Sequence, residues 1–499
     1  MKNINFKIII SFLGLTSMMN GLFMLIAVPI SLYYKESEAL EILWAGLTTL
    51  FIGALLYLFT RNNNKNLQKK DGYLIVTFGW VMLTLTGTLP YLFTQSIPHF
   101  PDALFEAISG YSTTGASILR DIEAMPKGIL FWRSATHWIG GMGIIVLTIA
   151  ILPMLGIGGM QLFMAEAPGP SADKMHPRIT ETAKRLWLIY FILTFSEMLL
   201  LKIAGMGWFD AANHAMATMS TGGFSTKNAS LAHWNHLPWI QYIVIIFMFI
   251  AGANFLMSYF VLKGKFIKVI KNEEFKFYFF GVIGIVLVVS LLIFFYQDPL
   301  LISSISHPKP FGELEHAIRH GAFQVISVIT TTGFVSADYT MWNSFATVII
   351  FSLFFLGGSA GSTSGGVKIV RHIIMIKNAL LEFKKILHPH AIIPVRYNDN
   401  AVQEKVVFNI LSFFILYMGI FITSSILLSF MGLDILTAFG AAASSLGNIG
   451  PAFGKLSPVD HYAWLSDTAK VFISFLMLIG RLELFTVLVI LTPYFWKKN

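Results

Sequence analysis

The chain has 499 residues, of which 55% are hydrophobic and only 12% are charged, and its formal net charge is +9. A soluble domain is typically about 25% charged, so this composition excludes an ordinary soluble protein. Cysteine is absent, which excludes disulfides, thiol catalysis and cysteine metal sites. In a membrane protein, the side of the membrane on which the basic residues lie indicates the orientation of the chain. We therefore do not interpret the positive net charge as a sign of nucleic-acid binding, and we expect no nucleic-acid partner.

Long apolar segments predict ten transmembrane helices, since one crossing takes about 20 apolar residues. The first segment is too long for a signal peptide, and we expect a retained helix there. The predicted spans are 7–33, 39–60, 72–94, 130–163, 183–206, 236–262, 277–296, 342–377, 406–431 and 461–496.

The basic residues predict the orientation of these spans. Most Lys and Arg residues fall in loops on the side of the N-terminus, so the positive-inside rule predicts that both termini are cytoplasmic. Acidic residues predominate in the opposite loops. They either concentrate cations at a pore mouth or simply fill exposed loops, and both interpretations stay open.

Four short segments of another kind lie between the long ones, at 101–117, 209–225, 313–336 and 433–453. Each begins with an acid, which suits a helix N-terminus, and continues for about three turns of small and apolar residues. At roughly 10–15 helical residues each is too short to cross. Each ends in a polar, glycine-containing cluster, and these clusters recur about every 110 residues, which predicts an internal repeat.

The predicted fold is an all-α polytopic membrane protein with ten transmembrane helices and four re-entrant pore helices. Four pseudo-symmetric repeats of helix, pore helix and helix follow a two-helix N-terminal unit. The predicted boundaries are 1–66 for that unit and 67–175, 176–272, 273–398 and 399–499 for the four repeats.

The polar clusters predict a cation pathway. Irregular backbone at membrane depth is tolerated only where protein buries it or where it lines a water-filled cavity. Glycine lets carbonyl oxygens turn toward a common axis, and a ring of carbonyls can replace the hydration shell of a cation. One such cluster is commonly a plain loop, but four in register favour a filter. The repeats run parallel, which favours a pore over a symporter with a rocking site, the alternative that inverted repeats would support.

The helix after the third cluster contains a glycine-rich stretch that predicts a break. A break below the filter is allowed beside a water-filled pore, so we expect a movable, pore-blocking loop there. The alternative is a close helix–helix contact of small residues. The predicted gate residues in this stretch are Gly357, Gly358, Gly361, Ser362, Thr363, Ser364, Gly365 and Gly366.

Arg481 lies in the last predicted span, where a charge is costly and usually faces a cavity or a partner. Its guanidinium is well suited to bind free carbonyls of the broken helix, and its charge repels cations. We therefore expect it to rest against the 357–366 loop as part of the gate. The alternative is a structural salt bridge with Glu197 or another acid.

His316 and His320 are four residues apart on the third pore helix, a spacing that can hold a metal. No H-E-x-x-H motif is present, and we expect these residues to line a vestibule instead. No paired-histidine pattern accompanies the serines of 358–366, so we expect no enzymatic activity and assign no catalytic residue.

Seven motifs carry a resemblance to a known family: 112-STTGAS-117, 220-STGGFS-225, 330-TTTGF-334, 445-SLGNIGPAF-453, 137-HWIGGMGI-144, 357-GGSAGSTSGGVKIVR-371 and 480-GRLELFT-486. With them the chain resembles the TrkH/KtrB superfamily of potassium transporters. The two extra N-terminal helices favour the TrkH type.

The resemblance implies a K⁺-conducting subunit of the bacterial inner membrane that works as a homodimer. It implies a cytosolic nucleotide-binding regulatory ring of the TrkA type as partner and no cofactor, with K⁺ as substrate. The basic segments 164–185, 263–276 and 378–405 either dock this ring or are ordinary cytoplasmic loops.

By match to the family motifs, the filter glycines are Gly115, Gly223, Gly333 and Gly450, and the fourth cluster departs from the threonine pattern. Each cluster lacks the second glycine of a T-V-G-Y-G filter, which predicts fewer sites and weaker discrimination among K⁺, Rb⁺ and Na⁺. The residues expected to bind K⁺ are Thr113, Thr114, Gly115, Thr221, Gly222, Gly223, Thr331, Thr332, Gly333, Asn448, Ile449 and Gly450.

Overall fold

The structure is a computed structural model that describes residues 4–61, 68–143, 179–296, 307–391 and 393–497. The part of the predicted span 130–163 beyond residue 143 lies outside these residues, as does most of the basic segment 164–185.

The described residues are mainly helical, as the sequence predicts, and one hairpin of two-residue strands, β1 (Arg396–Tyr397) and β2 (Asn400–Ala401), departs from the all-α prediction. The helices are α1 (Phe6–Tyr33), α2 (Ala39–Thr60), α3 (Lys69–Gly87), α4 (Leu89–Phe93), α5 (Phe100–Tyr111), α6 (Lys127–Trp138), α7 (Ile179–Ile203), α8 (Trp208–Met219), α9 (Pro238–Gly252), α10 (Phe255–Leu262), α11 (Phe266–Lys271), α12 (Glu273–Phe295), α13 (Glu313–Ile329), α14 (Ser344–Leu353), α15 (Ile369–Leu387), α16 (Glu404–Phe430), α17 (Ile435–Gly447), α18 (Asp467–Arg481), α19 (Phe485–Leu491) and α20 (Pro493–Trp496).

Helices α1 and α2 form an antiparallel pair whose backbones approach closely at glycines. A Cβ atom on Gly14 would lie 2.7 Å from the carbonyl oxygen of Gly53, so this contact requires small residues, as is common between membrane helices. The pair is joined to the rest of the molecule by Asn20, whose Oδ1 accepts a hydrogen bond of 2.6 Å from the hydroxyl of Tyr111.

Six helices within the described residues are long and apolar enough to cross a membrane, and two bent helix pairs raise this number to eight. The protein is therefore a multi-pass membrane protein. The number and bounds of the ten predicted spans stay a prediction. One predicted span, 130–163, leaves the described part of the chain, and three others, 236–262, 342–377 and 461–496, are broken. The six helices are Phe6–Tyr33, Ala39–Thr60, Lys70–Phe93, Lys184–Ile203, Glu273–Phe295 and Glu404–Phe430.

The helix that follows each polar cluster is interrupted, and the sequence predicts this only for the third repeat. The pair α9–α10 is bent by 107° and the pair α18–α19 by 116°. In the third repeat the chain leaves the α-helix between α14 and α15, and in the first a π-helical turn, Ile139–Gly143, ends α6. The α-helix that follows each polar cluster therefore ends within the predicted span in all four cases.

The four predicted re-entrant segments each contain a short helix, namely α5, α8, α13 and α17, of 12, 12, 17 and 13 residues. The third is longer than expected. Acids lie at their N-termini as predicted: in α17, for example, the side chain of Asp434 accepts from the backbone N–H of Thr437. At about 1.5 Å rise per residue, none of the four is long enough to span a membrane.

Candidate functional site

The four short helices end in turns that share one unusual backbone conformation. We call residues 112–115, 220–223, 330–333 and 447–450 the four turns. Within each turn, the residue two before the last glycine has a positive φ: Thr113 (53°), Thr221 (54°), Thr331 (55°) and Asn448 (55°). The last glycines, Gly115, Gly223, Gly333 and Gly450, have φ values of 81°, 82°, 75° and 102°.

Three of these left-handed residues are threonines, for which this conformation is a genuine outlier because Cβ is branched. Such strain costs on the order of 1–3 kcal/mol per residue and concentrates at functional sites. Asn448 replaces threonine in the fourth turn, and asparagine tolerates this conformation better. The four turns therefore share one strained backbone conformation, which makes them a candidate functional site.

The four turns close into a ring. A Cβ atom added to the last glycine of any turn would collide with a backbone carbonyl oxygen of the next turn, so only glycine fits. The fourth turn makes the same contact with the first, which closes the circle. The contacts run from Gly115 to Gly222, from Gly223 to Thr332, from Gly333 to Ile449 and from Gly450 to Thr114.

The ring contains no charged side chain, and its polar side chains brace one another. Thr114 shares a hydrogen bond of 2.7 Å with Ser112, and Thr332 shares one of 2.8 Å with Thr330. Among the described residues, no protein donor binds the carbonyl oxygen that each turn presents to its neighbour. These uncharged oxygens are suited to replacing the hydration shell of a monovalent cation.

The fourth turn differs from the other three. The side-chain amide of Asn448 donates to Thr114 Oγ1 at 2.9 Å and to the carbonyl of Met477 at 2.8 Å, so it joins the first turn to α18. The carbonyl of Gly450 accepts from Ser444 Oγ at 2.9 Å and from the hydroxyl of Tyr462 at 2.8 Å. Both lone pairs of this oxygen are thus used within the protein, which separates Gly450 from the other predicted ion-binding residues.

The glycine-rich segment between α14 and α15 lies directly against the ring. The backbone N–H of Gly365 donates to Thr331 Oγ1 at 2.7 Å, and Thr363 Oγ1 donates to the carbonyl of Met219 at 3.0 Å, at the C-terminus of α8. The segment leaves the α-helix and reaches positive φ at Gly361 and Gly366. It is a non-helical loop rather than the helix–helix contact considered as the alternative.

The loop is held in place by hydrogen bonds from several elements. The carboxylate of Glu274 on α12 accepts from the N–H of Ala360 at 2.7 Å. The N–H of Ser359 donates to the carbonyl of Gly252 at 2.8 Å. Gly358 and Ser362 bond to the hydroxyl of Ser364, and Lys368 Nζ donates to the carbonyl of the same serine. These contacts satisfy polar backbone that would be costly to leave unpaired at membrane depth.

Arg481 lies at the end of α18, beside the bend, and binds backbone carbonyls, as the sequence predicts. Its guanidinium donates to the carbonyl of Thr363 at 2.7 Å and to those of Gly140 and Gly141 at 2.5 and 3.0 Å. It therefore ties the glycine-rich loop to the π-helical turn after α6. Glu197, the alternative partner, forms no ion pair with Arg481 among the described residues.

Two ion pairs behind the turns, one fully buried and one partly exposed, are not predicted from the sequence. Arg133 on α6 binds Glu106 on α5 at 2.5 Å, and both side chains are at most 2% exposed. Arg133 also donates to the carbonyl of Ser225, just after the second turn, and stacks on the ring of Phe224. A similar pair joins Arg319 to Glu315 within α13 at 2.8 Å. The only signal for Glu106 is a second acid one turn after Asp102.

Removing one partner of the buried pair is expected to destabilise the protein strongly. Arg133→Met leaves the Glu106 carboxylate buried without its cation, which typically costs about 3–5 kcal/mol. Thermal unfolding of the detergent-solubilised protein measures the loss. The additional change Glu106→Gln should recover part of it, and Lys385→Ala, which breaks an exposed pair with Glu382, should cost about 1 kcal/mol or less. Equal effects of Arg133→Met and Lys385→Ala would contradict a buried, structurally required pair.

Comparison with known proteins places this geometry in a family. Residues 40–497 match the family model TrkH, described as a cation transport protein. The Trk system potassium uptake protein TrkH of Escherichia coli K12 is 37% identical over 498 residues, which cover 99% of this chain and 100% of that protein. The Trk system potassium uptake protein TrkG of the same organism is 31% identical and covers 99% of each chain. The crystal structure of the potassium transporter TrkH from Vibrio parahaemolyticus matches with a TM-score of 0.85 and 34% identity, over 99% of this chain and 100% of that one. The chain therefore belongs to the TrkH family of cation transport proteins.

Proposed function

We propose that this protein takes up potassium ions through a central pathway that passes through the ring of the four turns. The observation that carries the proposal is the closed ring of uncharged turns, each with left-handed residues two positions apart. The names of the relatives, which are potassium uptake proteins of the Trk system, support K⁺ as the ion.

Carbonyl oxygens of the turns replace the water around the ion, and hydroxyls of the threonines brace the turns. Because no carboxylate lies in the ring, a monovalent cation is bound without being trapped. We assign the K⁺ ligands to residues of all four turns: Thr113, Thr114, Gly115, Thr221, Gly222, Gly223, Thr331, Thr332, Gly333, Asn448 and Ile449. Gly450 contributes its conformation rather than its carbonyl, which two side chains occupy.

The 357–366 loop and Arg481 act as the gate on this pathway. Thr363 of the loop contacts the end of α8, the helix before the second turn, and Gly365 contacts the third turn. Arg481 fixes the loop to the first repeat. Breaking these contacts releases the loop from the pathway. The positive charge of Arg481 also opposes cation passage while it stays in place.

The ion moves down its electrochemical gradient. An inside-negative potential contributes about 2.3 kcal/mol per 100 mV for each charge that crosses. The setting is the bacterial inner membrane with cytoplasmic termini. The protein works as a homodimer with a cytosolic nucleotide-binding ring of the TrkA type, and the four repeats follow the boundaries given by the sequence.

Growth of a bacterial strain that lacks its own K⁺ uptake systems tests the proposal. Expression of the protein is expected to restore growth at low external K⁺, because uptake becomes possible down the electrical gradient. A variant with Gly115→Ser, produced in equal amounts in the membrane, should rescue poorly. Absence of rescue by the wild-type protein, when it is present in the membrane together with its Trk partners, would reject potassium uptake.

A further inference from the structure

Three histidines gather at the N-terminal part of α13, away from the ring. His316 and His320 lie one helical turn apart, and His307 belongs to the loop that precedes the helix. One ring nitrogen of each lies within 4.8 Å of the other two. The centroids of the His316 and His320 rings are 4.6 Å apart, and those of His307 and His320 are 5.5 Å apart.

The two helical histidines carry buried nitrogens without a partner. His316 is 3% exposed and His320 is 0% exposed, and the Nε2 atom of each has no hydrogen-bond partner within the described residues. Buried polar atoms are almost always paired, so an unpaired one calls for an explanation. Two neutral imidazoles whose Nε2 lone pairs are available can together bind a metal ion.

The neighbours of His320 orient its free nitrogen. Its Nδ1 lies 2.9 Å from the hydroxyl of Ser336, and this bond leaves Nε2 as the nitrogen available to a ligand. Metal-binding histidines usually hold their second nitrogen in this way, which fixes the ring and its tautomer. Ser336 is therefore suited to a supporting role.

His307 completes the set, and it already has a hydrogen-bond partner in Asn235. Its Nδ1 accepts from the side-chain amide of Asn235 at 2.9 Å, so a metal competes with this contact for the ring. Arg319 is paired with Glu315 at 2.8 Å, which offsets its repulsion of a cation.

We propose that His307, His316 and His320 bind a divalent transition metal of the Zn²⁺ type, with water as the fourth ligand. Zinc accepts three imidazoles at about 2.0–2.1 Å in tetrahedral geometry, which requires the ring nitrogens to approach one another by up to about 1.5 Å. The loop position of His307 allows this. Imidazole ligands suit zinc, copper and nickel rather than hard cations, so this site is distinct from the potassium pathway.

The metal joins the loop before α13 to the helix that carries the third turn. Because α13 continues directly into Thr330–Gly333, the metal braces one wall of the ring from outside it. Ser336, which follows the same turn, links the metal site to the chain beyond the turn. The site therefore offers a means of stiffening the third repeat by metal binding.

Calorimetric titration of the full-length protein with ZnCl₂ tests the site. The protein is purified in detergent without a histidine tag and stripped of metal with EDTA, which is then removed. We expect one strong Zn²⁺ site per chain. The affinity for Zn²⁺ should fall about tenfold or more in each of the variants His307→Gln, His316→Gln, His320→Gln and Ser336→Ala. His388→Gln, at an exposed histidine far along the chain, is the matched control and should bind as the wild type does.

Two results would overturn the proposal: wild-type protein that binds no Zn²⁺, or substitutions within the cluster that bind as tightly as His388→Gln. Size-exclusion profiles identify any variant that does not fold. If a substitution on α13 prevents folding, the Zn²⁺ affinity of the loop variant His307→Gln decides whether the site exists. Tetrahedral coordination is checked independently by the visible absorption of bound Co²⁺, which should be lost in the same variants.

Discussion

Arg481→Ala is expected to raise K⁺ flux through the protein about tenfold or more in the absence of any activating partner. The substitution removes the donors that bind the carbonyls of Thr363, Gly140 and Gly141. Hydrogen bonds to charged groups contribute about 1.5–3 kcal/mol each, and about 1.4 kcal/mol changes an equilibrium tenfold. The loss of even one such bond therefore shifts the loop substantially toward release.

Flux into liposomes that contain the purified protein measures this effect. Arg120→Ala, which removes an exposed arginine, is the matched control and should leave the flux unchanged. Arg481→Lys keeps the charge but loses the two-pronged geometry, so an intermediate flux is expected. A variant with several residues deleted from 357–366 should also conduct more. Equal or lower flux from well-folded Arg481→Ala protein would reject the gate.

Gly115→Ser is expected to reduce the preference for K⁺ over Na⁺ to near unity. The new Cβ atom collides with the carbonyl of Gly222, and the left-handed backbone at φ 81° disfavours any residue with a side chain. Both effects displace the carbonyl oxygens that replace the hydration shell. Since each turn has few such oxygens, the loss of one position should affect selectivity strongly.

Relative permeabilities from reversal potentials measure the change. Gly419→Ser is the matched control, because a Cβ atom at Gly419 on α16 meets nothing within 4 Å. The control should keep the selectivity of the wild type. If Gly115→Ser and Gly419→Ser have the same permeability ratio, the first turn does not select ions.

The four polar clusters could be found from the sequence because each follows a short segment of small and apolar residues and they recur at a regular interval. The internal repeat that they indicate stays a prediction. Family membership followed from the same clusters and is confirmed. The contact of Arg481 with the 357–366 loop was also predictable, since an arginine at membrane depth needs partners and a broken helix offers free carbonyls.

Other features depend on three-dimensional neighbours that spacing does not reveal. Glu106 and Arg133 are 27 residues apart and lie on separate helices, so their pairing is a matter of packing. The bend between α9 and α10 has no proline, and only the packed structure reveals it. The carbonyl of Gly450 is occupied by Tyr462 and Ser444, which the match of glycines among the turns cannot indicate.

The roles of the four turns and of the gate stay predictions, and a single current recording tests the central one. Wild-type protein in a planar bilayer with a K⁺ gradient is predicted to give unitary current steps whose reversal potential follows that gradient. Gly115→Ser should move the reversal potential toward that of a non-selective cation pathway. Strictly coupled turnover with H⁺ or Na⁺ and no unitary steps, from protein that is active in liposomes, would contradict a pore through the ring of the four turns.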